Sequence, residues 1–305
     1  MEGSQGAQKL ANCGCGVGYL GSDNAVLVHP LANGNKEMAL RLRLIASIAL
    51  LPYGAAHAQV ADTIFHKTSI VTSKDLGMAA GFAVATIAVA PLDRYFASHS
   101  QASAMQSNPW LHGAATGFRV LGSEGSLAAG AGLYLIGRAS GGRRTADLGA
   151  HSVEAMVLAD LVGGGIKVVV GRARPYVDAT NNKDFQLMRG LRSDKYRSFP
   201  SGHTINAFAF ASTVSRETEM WWPSSRWYIG PVMYGGATLV GLSRIYNNKH
   251  WASDVMAGAA VGTIIGLKVV QYQHSHPGNR VDRALLSVNI TPGAPGTRPH
   301  ISLGF

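Results

Sequence analysis

Three polar clusters lie between Lys167 and Asp254, and they alternate with long, nearly uncharged apolar runs. The first is Lys167-Val-Val-Val-Gly-Arg-Ala-Arg174-Pro175. The second is Pro200-Ser201-Gly202-His203. The third is Ser243-Arg244, then His250, then Asp254. Apolar runs of helical length pack side by side, while polar ends stay near their edges. The clusters can meet only if those ends converge. Together they hold four cationic side chains, two histidines, two serines and one carboxylate.

That inventory describes a pocket for a phosphate-like oxyanion with a nucleophile and a proton donor beside it. Arg174 and Arg244 offer planar forks of N–H donors that match a tetrahedral oxyanion. Lys167 adds a compact positive charge. Ser201 and Gly202 follow a proline and precede the apolar run Thr204–Val214, which reads as a helix start. Helix N-termini present free N–H groups to anions. His203 lies in that first turn. His250 and Asp254 are four apart in a run, His250–Tyr272, that reads as helix, and this spacing puts them on one face. A carboxylate beside an imidazole fixes its tautomer and stabilises its cation. One histidine can attack phosphorus while the other protonates the leaving group. Each cluster alone reads as a basic turn, a helix cap or a surface hydrogen bond. Three in order within one window are far more specific.

The clusters resemble the type 2 phosphatidic acid phosphatase superfamily, which includes bacterial acid phosphatases and vanadium haloperoxidases. Its pattern is Lys-x6-Arg-Pro, Pro-Ser-Gly-His, then Ser-Arg-x5-His-x3-Asp, and Lys167, Arg174, Pro175, Pro200, Ser201, Gly202, His203, Ser243, Arg244, His250 and Asp254 match every defined position. The resemblance implies an all-α bundle with the pocket at one end. It implies that His250 attacks phosphorus, Asp254 orients it and His203 protonates the leaving oxygen. Lys167, Arg174, Ser201, the Gly202 N–H and Arg244 hold the phosphoryl oxygens. No Asp/Glu/His cluster with metal-ligand spacing stands out in the chain, so the reading is a metal-independent phosphatase with no cofactor and no metal site. The substrate is a phosphorylated lipid or a small phosphate ester. One alternative is a vanadium-dependent haloperoxidase, with vanadate in the same pocket and His250 as its ligand. Another is a non-enzymatic envelope protein.

Composition limits the surroundings. Only 14% of the 305 residues are charged, 47% are apolar and the formal net charge is +10. A basic balance suits anionic substrates or an anionic membrane surface. Nucleic acid is excluded as a partner because no basic run with interleaved aromatics occurs. Residues 38–58 combine a basic start (Arg41, Arg43), a short apolar stretch and Ala56-His57-Ala58, the layout of a secretory signal cleaved after Ala58. Residues 1–37 then read as an extension ahead of a start at Met38. Both cysteines, Cys13 and Cys15, fall before the cleavage point, so the mature chain has no disulfide.

The expected organisation is therefore an extension at 1–37, a signal at 38–58, a helical phosphatase domain at 59–276 and a tail at 277–305. Leu76–Leu92 is an uncharged run that Asp93-Arg94 ends. Five or six helices are expected, drawn from that run and from the segments at Pro109–Phe118, Gly125–Gly137, Thr145–Val170, Thr204–Val214, Trp227–Leu242 and His250–Tyr272. Gly163-Gly-Gly165 should weaken the longest of them. Tyr176–Arg197 is a polar loop, and loops of that length are commonly functional. Ala284–Ile290 and His300–Phe305 read as short strands. The apolar runs are mostly 13–17 residues, short of the ~20 needed to span a bilayer. The expected location is the bacterial periplasm or cell envelope, as a compact exported bundle with membrane association, favoured over a polytopic protein.

Overall fold

The computed structural model describes residues 71–286, 288–291 and 300–303. The signal, its cleavage point and the extension before it lie outside the described residues. Among the described residues ten helices run in order: α1 Ser73–Val89, α2 Asp93–Ser100, α3 Ser103–Gln106, α4 Pro109–Val120, α5 Ser126–Ser140, α6 Arg143–Val170, α7 Gly202–Trp221, α8 Ile229–Tyr246, α9 Ala252–Ser275 and α10 Arg280–Leu286. A π-helical turn, Leu121–Gly125, joins α4 to α5. Two antiparallel strands, β1 Val288–Thr291 and β2 His300–Leu303, pair with Val288 opposite Leu303. The fold is an all-α bundle, as expected, with more helices than the five or six read from the runs. Strand structure in the tail begins later than expected, because Ala284–Leu286 close α10.

The bundle is built around α6, α7 and α9. Buried Ala155, Met156, Ala159, Ile205, Ala209 and Val269 form their shared core. Small residues let these backbones approach closely. A Cβ on Gly258, Gly262 or Gly266 of α9 would lie 2.7, 2.3 or 2.7 Å from the carbonyl oxygens of Ser201, Ile205 and Ala209 on the α7 segment. Any side chain there would push α9 off α7 and separate the polar clusters at their ends. Gly163 works the same way between α6 and α7. Its Cβ would sit 2.3 Å from Ile205 Cδ1, and Ile205 is fully buried. Packing at Gly163 therefore offsets the ~1 kcal/mol that propensity alone charges there, and α6 runs unbroken through Gly163-Gly-Gly165 although a Cβ on Gly164 or Gly165 would meet nothing within 4 Å.

α1 opens on a capping box. The Thr72 hydroxyl accepts from the Asp75 N–H, and the Asp75 carboxylate accepts from the Thr72 N–H at 2.7 Å. Asp93-Arg94 does not end this run. Asp93 is fully buried and turned inward, so the chain continues through a short 3-10 turn into α2. Ser73–Ser100 is consequently 28 residues of apolar helical chain, long enough to cross a membrane, and its apolar window is only 17% buried. Leu76, Val84 and Ile87 expose 64%, 66% and 72% of their surface. Ala252–Ser275 also has the length and composition of a span, but 56% of it is buried in the bundle. The expectation that Leu76–Leu92, like most of the runs, falls short of a span is thus corrected: a buried carboxylate reads as a stop in sequence and acts as a helix residue in the fold.

Candidate active site

Antiparallel packing puts the C-terminal end of α6, the N-terminus of α7, the last turn of α8 and the N-terminus of α9 at one end of the bundle. These carry Lys167, Gly202 and His203, Arg244, and the His250–Asp254 segment. α6 stops at Gly171, which has φ +57° and whose Cβ would fall 1.8 Å from the Gln186 carbonyl oxygen. Only glycine meets both conditions. The reversal throws Arg172 and Arg174 back across the site, where the loop after them holds the strand-like backbone. Ala173 N–H donates to Asp184, Arg174 N–H to Lys195, and Ser198 N–H to the Arg172 carbonyl. The loop expected at Tyr176–Arg197 is present, with 3-10 turns at Arg189–Leu191 and Asp194–Tyr196. It serves as a wall of the site.

The expected anion-binding groups come together. Lys167 reaches the Pro200 carbonyl with its ammonium. A Cβ on Gly202 would lie 3.6 Å from Lys167 Cε, so Lys167 runs beside the start of α7. Burial lowers the Lys167 pKa to about 8. Ser201 is fully buried, and its hydroxyl accepts from Thr204 at 2.8 Å. Arg174 donates to Asp194 at 2.9 Å and keeps a buried Nε–H without a partner. Arg244 is 5% exposed, and its Nε and Nη1 have no partner. Burial, then the neighbouring Arg174 and Arg119, lower its pKa to about 10. Leaving such donors unpaired costs ~1–3 kcal/mol each or more, a cost that an anion accepting from them would relieve. The Ser243 hydroxyl donates to the Val240 carbonyl within its own helix.

The two histidines differ. His250 is buried, and its Nδ1 lies 2.7 Å from the Ser198 carbonyl oxygen. A carbonyl only accepts, so Nδ1 carries the proton and Nε2 keeps its lone pair. Burial lowers the His250 pKa to about 3. His203 is lowered to about 4, by burial first and by the Arg244 charge next, while Glu124 pulls the other way.

Asp254 is not where the helical spacing puts it. His250 lies before α9, whose N-cap is Trp251, so the pair does not share a helix face. Asp254 Oδ2 accepts from the Trp251 N–H at 2.9 Å and from Ser198 Oγ at 2.5 Å, and stands 3.8 Å from His250 Nδ1. Its other oxygen accepts from Arg172 at 2.6 Å. At that range Asp254 acts on His250 mainly by charge and by holding Ser198.

Sequence reasoning missed this supporting network. Arg172, 3% exposed, donates to Asp254 and, at 2.7 Å, to Asp93. Asp93 also accepts from the Ser253 N–H and hydroxyl, and the Arg172 guanidinium lies 5.5 Å from the Trp251 ring centroid. Arg172 sat inside the first cluster, but nothing in the sequence ties it to a carboxylate 79 residues upstream.

Residues 149–276 match the family model described as the PAP2 superfamily. These residues form a PAP2 superfamily domain. The match contains every cluster residue. The lipid A 1-phosphatase of Porphyromonas gingivalis is 40% identical over 109 residues, 35% of this chain and 20% of that protein. The undecaprenyl-diphosphatase of Sulfolobus acidocaldarius is 30% identical over 145 residues, 47% of this chain and 64% of that protein. The chain thus spans between a fifth and just under two thirds of these two relatives. The crystal structure of a transmembrane PAP2-type phosphatidylglycerolphosphate phosphatase from Bacillus subtilis aligns with a TM-score of 0.50 at 21% identity. It covers 68% of this chain and all of that one, a likeness of fold.

Proposed function

We propose that this PAP2 chain is a phosphatase that removes phosphate from lipid phosphate monoesters or pyrophosphates through a phosphohistidine at His250, with no metal in the chemistry. The observation that carries the reading is the pairing of unpartnered, buried donors on Arg244 and Arg174 with a histidine whose Nε2 lone pair is held free by the Ser198 carbonyl.

In the first step His250 Nε2 attacks phosphorus, a P–N bond forms and the P–O bond to the leaving group breaks. The leaving oxygen takes a proton from His203. In the second step water attacks phosphorus, gives a proton to His203 and releases inorganic phosphate, which restores neutral His250. Lys167, Arg174, Arg244 and the N–H groups at Ser201–Gly202 stabilise the charge that spreads over the phosphoryl oxygens. These fixed cations supply the electrophilic assistance a metal gives elsewhere. His203 is neutral in the free protein, and the charge of a bound phosphate raises its pKa and readies it as the acid.

Relatives named for lipid A and undecaprenyl diphosphate support a lipid-linked substrate. So does the exposed apolar face of Ser73–Ser100, which suits a bilayer. The signal-like residues 38–58 support export to the envelope or periplasm. Phosphate release from a panel of lipid and soluble phosphates tests the substrate class. Mass spectrometry after an alkaline quench should find the phosphoryl group on His250, and a label on Ser201 or His203 would refute the mechanism.

A further inference from the structure

At the opposite end of the same three helices stands a second group of polar side chains that the proposed chemistry does not use. His151 near the start of α6, Glu217 near the end of α7 and His274 in the last turn of α9 bring one ligand atom each within 4.8 Å of one another. Fourteen residues of α7 separate Glu217 from His203, about 21 Å at helical rise, so this group is remote from the phosphate pocket.

His151 Nδ1 lies 2.6 Å from Glu217 Oε1, and His274 Nε2 lies 3.0 Å from both Glu217 oxygens. Glu217 is fully buried and His151 is 4% exposed. The other ring nitrogen of His151, Nε2, is buried without a hydrogen-bond partner and faces Asp282 Oδ1 at 3.5 Å. A neutral His151 cannot satisfy this arrangement. With its proton on Nδ1 it turns a bare lone pair toward Asp282, and with the proton on Nε2 it turns one toward Glu217. A second proton on His151, or a metal ion on the Nδ1 side, removes the conflict, and titration with zinc tells the two apart. The geometry favours the ion, because His274 Nε2 converges on the same Glu217 oxygens. Nδ1 and Glu217 then both donate electron pairs to the ion, and Nε2–H donates to Asp282. A carboxylate on the far nitrogen of a ligating histidine is the usual way such a ring is oriented.

We infer that His151 Nδ1, Glu217 and His274 Nε2 form a zinc-type site that ties α6, α7 and α9 together, with Asp282 orienting His151. Two imidazoles and a carboxylate suit zinc, and three protein ligands leave one position for water. Ligands of tetrahedral zinc stand roughly 3.3 Å apart at its usual bond lengths, so side-chain shifts of a few tenths of an ångström open the present contacts to that spacing. The site borders a cleft of about 360 Å³ lined by His151, His274, Asp147 and Asp282, which gives an ion access. Asp147 Oδ1 is buried without a hydrogen-bond partner on the same wall, where Asp147 and Asp282 are set against Arg143 and Arg283 of the same lining. The sequence hides the site because its ligands are 66 and 57 residues apart.

Untagged full-length protein, purified in detergent and stripped with chelator, would be titrated with zinc by calorimetry and with cobalt(II) by visible absorption. One ion per chain is expected, with d–d bands of a four- or five-coordinate nitrogen–oxygen site and a higher melting temperature on loading. The bands should persist in His250→Ala and His203→Ala, which separates this site from the phosphate pocket whatever the fate of the phosphatase reading. Glu217→Gln and His274→Gln should abolish one-to-one binding, and Asp282→Asn should weaken it ~10–100-fold. His274 lies at the half-buried rim, so His274→Gln, checked by its melting curve, tests the ligand set without disturbing the core. Absence of a stoichiometric ion in the wild type, or unchanged cobalt bands in folded His274→Gln, would overturn the site.

Discussion

His250 Nδ1 donates to the main-chain carbonyl of Ser198 at 2.7 Å, while Asp254, the carboxylate four residues on, stands 3.8 Å away. The imidazole is thus oriented by backbone, and the carboxylate secures that backbone through the Ser198 hydroxyl. Asp254→Asn should therefore damage the fold as well as turnover. It leaves Arg172 short of a charge partner in a buried network, a class of change that costs ~3–5 kcal/mol. Thermal melts should drop markedly alongside kcat. An unchanged melting temperature with lost activity would restore the simpler orienting role.

Arg172→Lys tests the same network from the other side. A lysine cannot bridge Asp93 and Asp254 at once as the planar guanidinium does. The expected result is a lower melting temperature and at least a tenfold fall in kcat, because α9 and the Ser198 carbonyl lose their common anchor. Full activity in Arg172→Lys would show that the network does not position His250.

Nucleophile and acid should separate by leaving group. His250→Ala is expected to reduce turnover to background for every substrate. His203→Ala should cost ~10²–10⁴-fold on alkyl phosphates and much less on a nitrophenyl phosphate, whose leaving group needs no proton. Equal losses on both substrates would remove His203 from the acid role.

Arg244→Met should weaken inhibition by inorganic phosphate and by vanadate. Hydrogen bonds to charged groups contribute ~1.5–3 kcal/mol each, so the loss of the Arg244 donors should raise the inhibition constant by ~10²-fold. An inhibition constant within twofold of wild type would mean that the anion sits elsewhere.

The pH dependence follows from the two depressed histidines. His250 must be neutral to attack, and with a pKa of about 3 it is neutral at every pH above that. His203 must carry a proton to donate it, and with a pKa of about 4 in the free protein its protonated fraction grows as pH falls toward that value. Corrected for ionisation of the substrate, kcat/KM should rise from alkaline to mildly acidic pH. For kcat the fall on the alkaline side should come later, because bound phosphate raises His203. His203→Ala should flatten the alkaline limb, and a limb unchanged in that variant would assign it to another group.

The sequence by itself determined the helical class, the order of the clusters and the residue types of the proposed phosphate pocket. Those follow from local rules: apolar runs of helical length, a proline before a helix start, and cations at run ends. Only the tertiary structure decided that Asp93 is an interior partner of Arg172 and not a helix stop, that His250 precedes α9 and leans on Ser198, and that His151, Glu217 and His274 meet. The reason is physical. A side chain's burial and its partner 57 to 160 residues away depend on how closely α6, α7 and α9 approach. The Gly258, Gly262 and Gly266 stripe sets how closely α9 packs on α7, through contacts that no local spacing records.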